Sequence, residues 1–269
     1  MSGRKYATLS ATMSHASRFQ STVPFYTRYR LDYPAKLIER VIALTELRVG
    51  DPVLDLGTGP GLLAIAFAKT GMRVTAADPE PTMLAAAGEA ARAAGVAVAS
   101  WSGGSNDLTS DMGPYRLVTM GRSFHWMDRA ATLERLDRIV AADGAIALFH
   151  DEHPKTAENR WSDVLHDVAS RYGRNEEPVI LERKSRDYRT HESYLLASRF
   201  NVLEAVSVVI RKPITIDEIV GRALSMSTCS PEKLGPRIGA FEAELRGALA
   251  GSGDLSEIAS LVALIARRP

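Results

Sequence analysis

The chain has 269 residues, 45% of them apolar and 24% charged, with a formal net charge of +1. This is the balance of an ordinary folded globule; it supplies no field for nucleic acid or an anionic membrane surface, so the expected partner is a small molecule. One cysteine, Cys229, excludes an intrachain disulfide and fits a reducing compartment, hence an expected cytoplasmic location, and no apolar run approaches the ~20 residues of a membrane span.

Residues 1–21 are polar and weakly periodic, expected as an arm that orders over a ligand. Arg4, Lys5, Arg18, Arg28 and Arg30 occur with no acid before Asp32, a composition that organelle leaders share, yet Phe25-Tyr26, Tyr29 and Tyr33-Pro34 are too aromatic for a discarded tail. Residues 34–47 then set Leu37, Ile38, Val41, Ile42, Leu44 and Leu47 along the apolar face of a helix.

The chain turns on the next stretch. An apolar run, Pro52-Val53-Leu54-Asp55-Leu56, stops at Gly57-Thr58-Gly59-Pro60-Gly61 and restarts at Leu62 as an alanine- and leucine-rich run to Lys69. That pattern is a buried parallel strand feeding a helix through a tight loop. The three glycines permit positive φ and remove Cβ atoms from a ligand's path, and the helix N-terminus behind them is expected to offer unpaired N–H groups. A dinucleotide fingerprint needs G-x-G-x-x-G; here the third glycine comes one residue early and Leu62 stands in its place, which weighs against NAD or FAD.

A second strand, 73–77, ends in Asp78, whose carboxylate only accepts hydrogen bonds and so suits a vicinal diol. Pro81 falls in the first turn of a helix over 82–94, closed by Gly95. A third strand, 96–101, runs into the polar turn Ser102-Gly103-Gly104-Ser105-Asn106-Asp107. A fourth, 115–121, leads into Arg122-Ser123-Phe124-His125-Trp126, at a strand end where open α/β sheets hold ligands. A helix over 129–140 and a strand over 145–149 complete a strict β-α alternation, which demands right-handed crossovers and a parallel sheet. His150-Asp151-Glu152-His153 invites a metal reading, but in an extended segment the two histidines face opposite sides and Pro154 diverts the chain. Beyond it the pattern gives a helix over 159–172, a charged excursion over 173–191, a short helix over 192–200 and a β-branched strand over 202–210. Two helices, 217–226 and 231–249, form a cap before a last strand at 258–266; Met226, Ser227, Thr228 and Cys229 at the helix break are candidates for an acceptor pocket.

The run V-L-D-L-G-T-G-P-G with Asp78 one crossover later resembles the first motifs of the class I S-adenosylmethionine-dependent methyltransferases. Phe25 to Pro34 and the His125-Trp126 pair are similar to the type 11 subgroup that includes the trans-aconitate methyltransferases. The resemblance implies an α/β fold, a doubly wound Rossmann-like sheet of seven strands whose seventh inserts antiparallel between the fifth and sixth, under a helical cap. It implies S-adenosyl-L-methionine as cofactor, S-adenosyl-L-homocysteine as product, a small-molecule acceptor, and a monomer or homodimer. Asp55, Gly57, Thr58, Gly59 and Gly61 would surround the methionine part, Asp78 the ribose, and Pro79 and Met83 the adenine. Many relatives carry an acid where Gly104 stands, so the adenine contact falls to Ser105, Asn106, Asp107 or backbone, and Ser123 is a further cofactor contact.

Tyr29 and Arg30 would approach the methionine end, the guanidinium pairing with a carboxylate and the tyrosine face attracting the sulfonium. Tyr26, Phe124 and Trp126 would hold the acceptor, and His125 would act as base or orient the acceptor. The implied division is an arm or lid (1–34), a cofactor-binding core (35–150), a mixed region with the cap and sixth strand (151–257) and a final strand (258–269). Two other readings stay open. One is a regulatory protein that holds cofactor without turning it over, which Gly104 keeps alive; the other is a nicotinamide oxidoreductase, which Leu62 disfavours.

Overall fold

A computed structural model describes residues 21–176 and 178–269; most of the expected N-terminal arm, 1–20, lies outside the described residues. Seven strands make one sheet: β1 Pro52–Leu56, β2 Arg73–Asp78, β3 Ala99–Ser102, β4 Tyr115–Gly121, β5 Val140–Glu152, β6 Val202–Pro213 and β7 Ser256–Arg267. Their order is β3-β2-β1-β4-β5-β7-β6. β1 to β5 are mutually parallel, and β7 runs antiparallel between β5 and β6, the expected topology. The order reverses between β1 and β4, and there the crossover helices leave on opposite faces and open a crevice at the strands' carboxyl ends.

Period-two alternation splits the core. Val53, Val74, Ala76 and Leu117 face α2 (Ala35–Thr45) and α3 (Leu62–Ala68), whose Leu37, Val41 and Phe67 are fully buried. Leu54, Leu56, Val118 and Met120 face the other way, toward Leu133, Leu136 and Ile139 of α5 (Arg129–Ile139) and Leu195 of α8 (His191–Leu196). Each such side chain contributes roughly 1.5–3 kcal/mol by leaving water. A third core makes the cap: Trp161, Leu165 and Val168 of α6 (Arg160–Arg171) pack with Ile219 and Ala223 of α9 (Ile216–Leu224) and with Phe241 and Leu245 of α11 (Ile238–Leu249). α1 (Val23–Tyr29) lies on α9. Among the described residues no helix is long and apolar enough to cross a membrane.

Among the departures from the sequence expectation, a helix, α7 (Pro178–Lys184), forms inside the stretch expected as a charged excursion, and three other elements change their bounds. β3 begins at Ala99, not Val96, because α4 (Pro81–Ala93) ends in a Schellman turn. Gly95 takes φ +69°, its N–H donates to Arg92 O, and the Val96 N–H donates to Ala91 O, so Val96 finishes the helix. β5 runs on to Glu152 because β7 pairs with it from Ala145 through Glu152. The helix expected over 231–249 is broken at Gly235-Pro236 into α10 (Pro231–Leu234) and α11; proline disfavours helical backbone in the residue before it, and Gly235 sits at φ 53°, ψ −130°.

Candidate functional site

β1 delivers Asp55, 1% exposed, into the base of the glycine loop. Its Oδ2 accepts from Thr58 Oγ1 at 2.6 Å and from the Ala64 N–H at 3.2 Å, and its Oδ1 accepts from Thr119 Oγ1 at 2.8 Å. One carboxylate thereby ties β1, the first turn of α3 and β4 together. Burial raises its pKa to about 6, against the pull of these donors.

Gly57, Gly59 and Gly61 all have positive φ, as the loop demands. They do different work. A Cβ on Gly57 would sit 2.6 Å from Ser123 Cβ, so the loop passes flush against the end of β4. A Cβ on Gly61 would sit 3.0 Å from Ala87 Cβ of α4; Gly61 therefore serves helix packing and does not line the cleft, contrary to expectation. The loop's own N–H groups are taken within the fold, and at the helix N-terminus behind them the Ala64 N–H is taken by Asp55. Gly57 and Thr58 donate to Ala77 O at 2.8 and 2.9 Å, Gly59 donates to Asp78 Oδ2 at 2.9 Å, and Gly61 donates to Thr58 O at 3.1 Å. The loop folds back over the end of β2, and acceptors there take its donors first. What it offers a ligand is bare, close surface.

A cleft of about 330 Å³ opens above this loop, over the ends of β1, β2 and β4. Asp78 lies in it, nearly buried, with Oδ2 on the Gly59 N–H and Oδ1 on the Glu80 N–H, both at 2.9 Å. Each oxygen keeps a further lone pair, so Asp78 braces the loop and can still accept from two hydroxyls. Burial raises its pKa. Gly57, Thr58, Gly59, Pro79 and Met83 line the cleft, as do Ser123 and Met127. Ser123 Oγ donates to Leu56 O at 2.8 Å, locking the ends of β4 and β1 together. Ser105 and Asn106 also line it, in a 3₁₀ turn whose Asp107 accepts from the Gly104 N–H at 2.8 Å. Asp107 thus caps the turn and also lines the cleft.

Tyr26 and Trp126 line the same cleft, as expected. Phe124 does not: it is 2% exposed, inside the α5 core, its ring 5.2 Å from that of His191. Successive residues of a 3₁₀ turn point about a third of a circle apart, so Phe124 and Trp126 part ways. His125 stands beside the Trp126 ring at 4.8 Å but outside the lining. Tyr29 packs on Gly221 of α9, where a Cβ would lie 2.3 Å from its ring, and is absent from the cleft. Arg30 lies over the Tyr26 ring at 5.1 Å and donates to Ser225 O at 3.3 Å. His150 meets Glu152 whereas His153 meets Glu257 at 2.6 Å, so the two histidines do not converge.

Sequence reasoning passed over Arg122, Tyr33 and Met127. Arg122 lines the cleft from a left-handed backbone, φ 55°, and its side chain pairs with Asp151 and stacks on Tyr33. Its place at a strand end was the available signal. A left-handed arginine has no signature in sequence.

Residues 53–144 match a family described as a methyltransferase domain. Over those residues the chain is similar to a methyltransferase domain. Over 157 residues it is 29% identical to an uncharacterized methyltransferase of Mycobacterium tuberculosis, covering 58% of this chain and 60% of that protein. Over 97 residues it is also 35% identical to an uncharacterized methyltransferase of Mycobacterium leprae, covering 31% of this chain and 33% of that one. The chain thus spans no more than 60% of the length of these curated relatives. Two solved structures share the fold. A methyltransferase from Thiobacillus denitrificans in complex with S-adenosyl-L-homocysteine has TM-score 0.53 at 20% identity, over 90% of this chain and 96% of that one. A protein from Anaeromyxobacter dehalogenans described as a candidate type II methyltransferase has TM-score 0.59 at 19% identity, over 89% and 98%.

The residues of the cleft fit S-adenosylmethionine. Asp78 has the free lone pairs a ribose diol needs, Pro79, Met83 and Met127 supply apolar surface for a base, and the Gly57 turn leaves backbone bare where a side chain would collide with Ser123.

Proposed function

We propose that the protein transfers the methyl group of S-adenosylmethionine to a small-molecule acceptor. The observation that carries this reading is a single cleft shared by the Gly57–Gly59 turn, the Asp78 carboxylate and, at the end of β4, Trp126. When bound, the cofactor supplies an electrophilic methyl on a sulfonium. The chain's task is then alignment, since holding reactants in line is worth roughly 7–11 kcal/mol. In this reading Trp126 and Tyr26 exclude water and face the cation, and His125, one residue from Trp126, serves acceptors that start protonated. The near-neutral net charge supports a metabolite over a nucleic acid. The Tyr29-Arg30 and His125-Trp126 patterns support the type 11 subgroup, with carboxylate O-methylation as its nearest chemistry and N- and C-methylation as the other options.

The replacement of an acid by Gly104 favours one rival, a protein that holds cofactor without turnover. Two measurements separate the readings. Calorimetry should show S-adenosylhomocysteine binding and NADH not binding; the reverse sinks the proposal. A screen of metabolites with isotopically labelled methyl donor should then label at least one acid, amine or alcohol, and a protein that binds cofactor yet labels nothing belongs to the rival reading.

A further inference from the structure

β6 forms one edge of the sheet. It is 12 residues long and pairs with β7 from Val202 to Pro213, and among the described residues no strand pairs with its other side. A row of backbone N–H and C=O groups is therefore open to a further strand. Apolar side chains gather along the same edge. Of the six large apolar residues exposed among the described ones, Val202 and Val209 lie on β6, Leu44 on α2 and Leu196 on α8, and both helices pack against β6. Val209 is 65% exposed, in a strand whose β-branched residues gain by packing sideways against a neighbour.

The side-chain pattern says what that neighbour is. Edge strands are commonly guarded by lysine and proline, and the end of β6 carries Arg211, Lys212 and Pro213. Its beginning carries Glu204, eight residues before Lys212. Directly opposed residues of an antiparallel pair share a face, and side chains alternate along each strand, so two copies related by a two-fold axis can oppose only residues an even number apart. Glu204 and Lys212 satisfy that; Glu204 and Arg211 do not. Setting Glu204 against Lys212 of a second copy places the axis at Val208. Val208 then meets its own copy and Val206 meets Ile210, so the three half-buried residues that pack on the α2 core continue it across the join. On the opposite face Val209 comes diagonally beside its own copy, within the ~7–8 Å that such neighbours span. No like charges oppose each other, since Arg211 faces Ala205. Glu204 already pairs with Arg267, and Lys212 with Glu218 and Glu257, so the join links ion pairs of alternating sign.

We propose that two copies of this chain join β6 to β6, antiparallel about Val208, into one continuous sheet. The sheet's other edge is β3, 4 residues long, so pairing consumes the long edge and closes the assembly at a two-fold dimer.

Sedimentation velocity of the full chain over a concentration series reads the assembly. Wild type should pass reversibly from one chain to two. Val209→Lys, at a side chain that the lone chain leaves in water, should weaken the dimer about 10-fold or more while the melting temperature of the dilute protein holds. Glu204→Lys and Lys212→Glu each set like charges against one another at both ends of the join and should weaken it to a similar degree. An equimolar mixture of those two variants should dimerise again, because each new charge then faces its opposite; a loss caused by disturbed folding has no such rescue. Lys212 also neighbours the buried Glu257, so Val209→Lys keeps the test decisive if Lys212→Glu melts early. A wild type that stays a single chain at every concentration, a dimer indifferent to Val209→Lys, or two well-folded charge variants whose mixture remains monomeric overturns the proposal.

Discussion

Asp55 and Glu257 are both buried acids, and their pKa values move in opposite directions. Asp55, on the cofactor side, meets only neutral donors, a threonine pair and a backbone N–H, and burial carries it up to about 6. Glu257, under the cap, is equally buried, but hydrogen bonds from His153 and Arg222 outweigh burial and hold it down to about 2. Asp151 follows Glu257, held low by Arg122 and Arg30. The two halves are therefore built differently. Beside β1 the loop is fixed by neutral hydrogen bonds that give a precise backbone path; from β5 to α9 the layers are fixed by full charges that must find each other after folding. Stability should be concentrated in the second half and ligand affinity in the first.

The largest test is Arg222→Met. It leaves Glu257, 0% exposed, facing His153 and Lys212, and removes the bond from Arg222 Nε to Tyr29 O that anchors the end of α1. Breaking a buried pair from one side costs about 3–5 kcal/mol, which urea unfolding should show as a large drop in midpoint. The affinity of the folded fraction for S-adenosylhomocysteine should change much less. A variant that keeps its stability and loses its ligand would invert the assignment of the halves.

Gly57→Val addresses the other half. A β-branched side chain at φ +70° is strained by about 1–3 kcal/mol, and its Cβ meets Ser123 at 2.6 Å, so the loop must move. We expect S-adenosylhomocysteine affinity to fall by roughly 100-fold or more with a smaller loss of melting temperature. Equal losses in both would mean that the loop is part of the global folding unit rather than a ligand surface.

The same contrast explains what could be read from the chain. Strand β1, the loop and Asp78 were legible because their constraints are local: positive φ demands glycine, and a strand-end acid 19 residues from Gly59 meets it across one crossover. The sheet order was legible from alternation and from the family likeness. Glu257 bonds to Arg222 35 residues away and to His153 104 residues away, and no spacing rule reaches that far. Phe124 and Trp126 were indistinguishable as neighbours until the 3₁₀ turn separated them. Gly61 looked like a third ligand glycine because its packing partner, Ala87, lies on another helix.

Asp55→Asn turns the comparison into a pH dependence. A carboxyl whose pKa rises from near 4 unfolded to about 6 folded binds its proton more tightly in the native state. It therefore takes away stability as pH climbs through that window, by about 2–3 kcal/mol in full. Asparagine has no such titration, and the Thr119 hydroxyl can turn to accept from its amide. Wild type should lose stability relative to the variant between pH 4 and pH 6 and run parallel to it above about pH 7. Glu257→Gln should show the opposite sign at lower pH, since a depressed acid contributes stability that is lost as pH falls from 4.5 toward about 2. A wild-type advantage that grows with pH through the upper window would mean that Asp55 is stabilised as an anion, by a cation the neutral donor set does not contain.

The smallest effect separates two roles of one side chain. Asp78 braces the loop through Gly59 and Glu80 with one lone pair on each oxygen, leaving the others for a ribose. Asp78→Asn puts an amide donor against one of two backbone donors, so it weakens the brace as well as any ribose contact, and a fall of about 10-fold in S-adenosylhomocysteine affinity follows from either. A double cycle divides them. Removing both ribose hydroxyls from the ligand should cost wild type about 10-fold and cost Asp78→Asn distinctly less, because the partner is already impaired. If the dideoxy ligand loses the same factor in both proteins, Asp78 acts on the loop alone and the diol is held elsewhere in the cleft, with Glu80 as the next carboxylate on its lining.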